Sequence, residues 1–230
     1  RHPSLQMLLP WSSPNSQRPR WFDLDGAAPP DLLVDESVGL EPVFRGMQNL
    51  PQRGLGPTVQ LRPVAWISVP VDQRIGPYRQ ALTLAQAGLW SEAFNRLQSL
   101  KSSFDHWPPA AEAQLRLLQH HAVHTKHHAD QHWSSPTQKV LTLLIDGRWE
   151  AALEAVEAAP ESLTPLQQYL ARDQGRIWNR VSAFLRIHPD HSAAMVWGGL
   201  ILQAQQDRST AMTWLDRRSG GGRLNSSCRR

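Results

Sequence analysis

Cysteine is almost missing from this chain: Cys228 is the only one in 230 residues. An internal disulfide is excluded, and so is a cysteine-ligated zinc site. A single thiol suits a reducing compartment, in the cytoplasm or at a membrane surface facing it. Lysine is scarce, at Lys101, Lys126 and Lys139, and charged residues together make up 19%, below the roughly 25% of an average soluble domain. Gln, Ser and His must carry much of the polar surface. Low Lys beside abundant Arg, Trp and Gln points to a GC-rich bacterial source. The longest apolar stretch, AAMVWGGLILQA at 193–204, is shorter than the ~20 residues a bilayer span needs. A membrane is expected as a partner only through an anchor upstream of Arg1. No phosphate-binding glycine loop, Gly-x-Ser-x-Gly or His-Glu-x-x-His motif occurs. Cys228 lies in a basic tail, a poor setting for a preorganised nucleophile. The chain reads as a non-enzyme with no catalytic residues and no cofactor.

Proline is plentiful but unevenly placed. Eleven of the 18 prolines fall in residues 1–75. Pro fixes φ, removes a donor and biases the preceding residue away from helix, so this region is expected to be an extended, largely irregular arm. Trp11, Trp21, Phe22, Phe44 and Trp66 are spread along it, as in arms pinned to a groove. Its one strand candidate is TVQLRPVAWISVPV at 58–71, confined by Pro63 and Pro70 to an edge. From residue 76 to 217 the apolar period becomes helical. Pro108–Pro109 and Pro136 open new helices, and Gly175 is a candidate break. Residues 218–230 have the composition of a flexible basic tail.

The helical part repeats itself. AQAGLWSEAF (85–94) and LIDGRWEAAL (144–153) both write Gly-x-Trp-x-x-Ala, and a shift of 59 residues aligns them. Leu84 meets Leu143 and Leu202, Ala93 meets Ala152 and Ala211, and Leu97 meets Val156 and Leu215. In the third copy Gln206 replaces the glycine and Arg208 the tryptophan. Gly supplies the positive φ of a short turn between antiparallel helices. Small Ala lets the second helix approach the first, and one hairpin cannot bury its apolar face without a neighbour. Over roughly residues 78–217 this pattern resembles the tetratricopeptide-repeat family, with its Gly turn between helix A and helix B. The period departs from the family's, about 34 residues, and needs an additional longer helix between hairpins. The resemblance implies a protein-binding scaffold without catalytic residues.

The candidate chemistry centres on QHHAVHTKHHADQHW (119–133). His120, His124, His127 or His128, and His132 recur three or four residues apart, a spacing that lets imidazoles on one helix face share a metal, with Asp130 near enough to add an oxygen. Exposed polar filler is the plainer reading. The same histidines charge on acidification, which makes this helix the expected pH-sensitive element. Trp107, Trp133, Arg116 and Arg148 are the candidates for a partner surface, because Trp and Arg concentrate at interaction hot spots. Arg96, Arg116, Arg148, Arg172, Arg176 and Arg180 offer a route to RNA, the least favoured reading because the repeats are irregular. The expected fold is all-α, an α-solenoid of stacked helical hairpins carrying the Pro-rich arm. The expected function is a scaffold for another protein or peptide, with metal binding by the His-rich helix as the alternative.

Overall fold

The computed structural model describes residues 14–50, 59–69 and 75–224. Its proline-rich part folds into a sheet. Strands β1 (Arg20–Phe22), β2 (Asp31–Asp35), β3 (Phe44–Leu50) and β4 (Gln60–Pro63) pair antiparallel in sequence order. The registers are Arg20 opposite Leu33, Leu32 opposite Met47, and Asn49 opposite Leu61. Of the described residues 61% are helical and 11% in strands or bridges, so the expected all-α solenoid with an irregular arm is wrong: the fold is mixed. The prolines permit the sheet because they punctuate it. Pro29, Pro30 and Pro42 stand in the connections, and Pro63 ends the edge strand β4, where a missing N–H is tolerated. β4 falls within the 58–71 strand candidate; residues 58, 70 and 71 lie outside the described residues, as do Trp11 and Cys228.

Nine helices follow among the described residues: α1 (Ile75–Gln86), α2 (Trp90–Lys101), α3 (Pro109–Asp130), α4 (Pro136–Asp146), α5 (Trp149–Ala158), α6 (Leu163–Arg172), α7 (Arg176–Ile187), α8 (Ser192–Gln205) and α9 (Arg208–Leu224). None is long and apolar enough to cross a membrane. α9 continues to Leu224, into the stretch whose composition reads as a tail. Consecutive helices from α1 to α5 stack on one another. α7 then turns back to pack on α1 and α4, and α8 sits among α5, α6, α7 and α9. The main core gathers Leu84, Leu97, Leu118, Leu144, Trp149 and Trp197, all nearly solvent-free.

The two matching motifs form matching turns. Gly88 has φ +82° and Gly147 +78°. At the first turn the Leu89 N–H reaches the Leu84 carbonyl at 2.9 Å and the Gly88 N–H that of Ala85 at 2.9 Å. At the second the Arg148 N–H reaches Leu143 at 2.9 Å and the Gly147 N–H Leu144 at 3.2 Å. This is the paired bonding of a Schellman cap. The third hairpin, without glycine, relies on a side chain instead: Asp207 Oδ1 accepts the Thr210 N–H at 2.7 Å, capping α9. The intervals between hairpins also differ. One long helix, α3, fills the first, and α6 with α7 fills the second, broken at Gly175 (φ +84°).

The sheet lies against α3, where Leu24, Leu33 and Phe44 meet Ala113 and Leu117 in a second, smaller core. After β4 the chain straps across the helices. Gln114 Nε2 donates to the carbonyls of Ala65 at 2.6 Å and Ile67 at 2.9 Å, and Gln86 Nε2 to that of Trp66 at 2.7 Å.

Candidate functional site

The two Gly-x-Trp turns touch each other. A Cβ on Gly147 would lie 2.9 Å from Leu89 Cδ2, so glycine here serves both the backbone angle and the close approach. Ser91 Oγ, just past the first turn, donates to Asp146 Oδ1, just before the second, at 2.5 Å. Arg148 Nε donates to Asp146 Oδ2 at 2.6 Å while its Nη1 holds Asp130 Oδ1 at 2.6 Å. Burial raises the Asp146 carboxyl above the usual carboxylate range, and the bonds from Ser91 and Arg148 pull it back only in part. On exposed Asp130 the bond from Arg148 prevails and the carboxyl is held below that range.

Around this contact lies a cavity of about 400 Å³, floored by Leu89 and Phe184 and rimmed by Ser91, Glu92, Asn95, Lys126, Asp146 and Arg148. A second cavity of about 530 Å³ continues along α2, past Arg96, Ser99 and Ser103, with Pro77 on its far side. Glu92 and Asn95 line both. Glu92 Oε1 is braced by Arg96 Nε at 2.9 Å, and Arg96 Nη2 reaches His188 Nε2 at 2.7 Å. From Ser91 to Lys101 at its end, α2 rises about 15 Å, the length of four or five residues of extended chain at roughly 3.3 Å each. The walls present donors and acceptors of both charge signs. Such a wall can both give and accept hydrogen bonds, and the volumes fall in the range of ~300–1,000 Å³ usual for ligand clefts.

Of the four partner-surface candidates, Arg148 belongs to this site. Arg116 is turned toward Glu112 Oε1 at 3.1 Å and Asp23 Oδ2 at 3.4 Å, joining α3 to the β1–β2 loop. Trp107 is half-buried, with its ring against Phe104 and Tyr78. Trp133 folds back, donating its indole N–H to the His128 carbonyl at 2.9 Å. The arginines suggested for RNA are largely engaged within the protein. Arg176 Nη1 meets Glu41 at 3.4 Å, and buried Arg180 also binds Glu41, on the β2–β3 connection. Arg180 Nε faces the Gly88 carbonyl at 3.4 Å, and a Cβ on Gly88 would sit 2.6 Å from its guanidinium.

The histidines meet the sheet. His121 is 1% exposed and stacks on Trp90, with centroids 4.0 Å apart. Its Nε2 accepts the Phe44 N–H at 2.9 Å, so the proton is on Nδ1, which donates to the Leu117 carbonyl at 2.9 Å. His120 packs edge-on to Phe44 at 4.3 Å and receives Arg20 at 3.0 Å. His124 lies 4.7 Å from His120 and 4.8 Å from Phe44. His128 Nδ1 is 3.2 Å from the Leu40 carbonyl, and exposed His132 stands beyond the end of α3. Of the four spaced for a metal, then, only His120 and His124 come together. Among the described residues the one group with converging ligand atoms is Asp23, Asp25 and Asp31. Its oxygens accept bonds within the sheet and its β1–β2 loop: Asp31 from the Leu24 and Asn49 N–H groups at 3.0 and 2.8 Å, Asp23 from the Gly26 N–H and Asp25 from the Ala27 N–H.

Comparison with protein-family models, with curated proteins and with solved structures finds no match. The site is therefore read from its own geometry. Sequence reasoning found both turns but missed Ser91, whose partner Asp146 lies across the turn contact, and Glu92 and Asn95, which line both cavities. The pairing of Gly88 with Gly147 was the available signal.

Proposed function

We propose that the protein is a non-enzymatic interaction module that holds an extended, polar peptide segment of a partner protein along α2. The observation that carries this reading is that two turns 59 residues apart meet and wall one end of a groove, which then follows a single helix face. The tetratricopeptide-like Gly-x-Trp-x-x-Ala motif of the turns supports the same reading, although the groove is not the face between α1 and α4, which α7 covers. The single cysteine suits a reducing compartment.

A photo-crosslinking residue at Asn95 or Ser99, both exposed on α2, tests the proposal in cells, with the same residue at His132 as control. Crosslinks to a discrete partner from positions 95 and 99, absent from 132 and suppressed by Asp146→Asn, are expected. Equal yields at all three positions, or none, would sink the reading.

A further inference from the structure

A small cavity of about 130 Å³ opens at the seam between the sheet and α3. Gln17, Arg18 and Arg20 from the chain entering β1 face Asp35, Phe44 and His124 across it. The space is far below the roughly 300 Å³ at which pockets begin to take drug-sized ligands, and it is of a size for a small ion. The charges select the sign. Arg18 and Arg20 bring two fixed positive charges against the single negative charge of Asp35. That carboxylate is already engaged, its Oδ1 accepting Asn15 Nδ2 at 2.9 Å and the Ser37 N–H at 2.9 Å. Arg18 has no partner among the described residues. Arg20 places one nitrogen 3.0 Å from His120 Nε2, which leaves most of its five N–H donors available. A planar guanidinium fork matches the oxygens of a tetrahedral anion.

We propose that this seam cavity binds a phosphate- or sulfate-sized oxyanion, held by the guanidinium groups of Arg18 and Arg20 and completed by the Gln17 amide and His124. The anion would clip β1 to α3, stabilising the docked sheet by mass action. It would also couple to protons. Burial, reinforced by Arg20, holds the His124 imidazole below its ordinary range, and an adjacent anion reverses that bias. The groups facing His124 are Arg20 and Asp35 on the sheet and His120, His127 and His128 on α3. Binding is therefore expected to tighten as His124 takes up a proton.

Titration calorimetry on the full chain tests this, with sodium sulfate as the probe because it stays dianionic from pH 7.5 to 6.0. Inorganic phosphate serves as the second probe. Sulfate also favours compact states non-specifically, so the decisive comparison is between variants in the same salt. The wild type should show one saturable site, tighter by about threefold or more at pH 6.0 than at 7.5. Arg18→Ala should weaken it by about fivefold or more, with the anion-free melting temperature unchanged. Asp35→Asn should strengthen it, a gain that misfolding cannot imitate. The proposal is overturned by an absence of saturable sulfate and phosphate binding in the wild type. Equal affinity in the wild type and the Arg18→Ala/Arg20→Ala variant overturns it as well.

Discussion

Helix α3 has two working faces, and they are built from different chemistry. Ala111, Leu115, Leu118, Ala122 and Ala129 enter the helical core as hydrocarbon. The other face meets the sheet with Ala113 and Leu117 but also with His120, His121, His124 and His128. The first face is indifferent to pH. The second holds only while His120 and His121 are neutral, because burial pushes both down to about 4. One helix thus joins a permanent core to a conditional seam.

The largest effect should come from the permanent face. Leu118→Ala removes a solvent-free side chain and is expected to destabilise the whole molecule by about 2–5 kcal/mol. Urea denaturation should give the same loss at pH 7.5 and pH 5.

Acidification of the wild type comes next. Folded His120 and His121 titrate near 4 and the unfolded imidazoles near 6.5, so the unfolded chain binds protons first. Stability is full above about pH 6.5 and falls as the pH drops toward 4. At about 1.4 kcal/mol per tenfold change, His121 alone accounts for ~3 kcal/mol. The raised carboxyls of Asp31, Asp146 and Asp173 protonate first in the folded state and offset part of this at the acid end. Hydrogen exchange should show the β3 amides losing protection while those of α8 keep theirs.

His121→Phe sharpens the contrast. It keeps a ring against Trp90 but leaves the Phe44 N–H without its acceptor, at a penalty of about 1–3 kcal/mol. In exchange the acid-induced loss should shrink, which a pH series of melting curves will show. The smallest effect belongs to His132→Ala. That residue is exposed beyond α3, and the change should stay within about 0.5 kcal/mol at every pH. A larger loss would mean that the full run of histidines acts together after all.

Helix positions were legible because their signals are local. Pro109 and Pro136 begin α3 and α4, Gly88 and Gly147 end α1 and α4 with positive φ, and Gly175 separates α6 from α7. The sheet was not, since its strands are three to seven residues long and gain meaning only through pairing across proline-marked connections. For the same reason the histidines looked available for metal: the residues that occupy them lie 77 to 100 positions away in the chain. At the candidate site the turn glycines could be read, but the Ser91–Asp146 bond spans 55 residues and leaves no periodic trace.

The return of α7 to α1 and α4 limits how this architecture can change. An open array of helical hairpins grows or shrinks by whole units, and its stability is close to a sum over neighbours. Here α7 carries Arg180 back to the first turn and to Glu41, so the β2–β3 connection, the α1–α2 turn and α7 are mutually dependent. Adding or deleting a hairpin would break that closure. The described helices form a closed set rather than an open stack, in which a change at α7 is felt both at the first turn and at the β2–β3 connection.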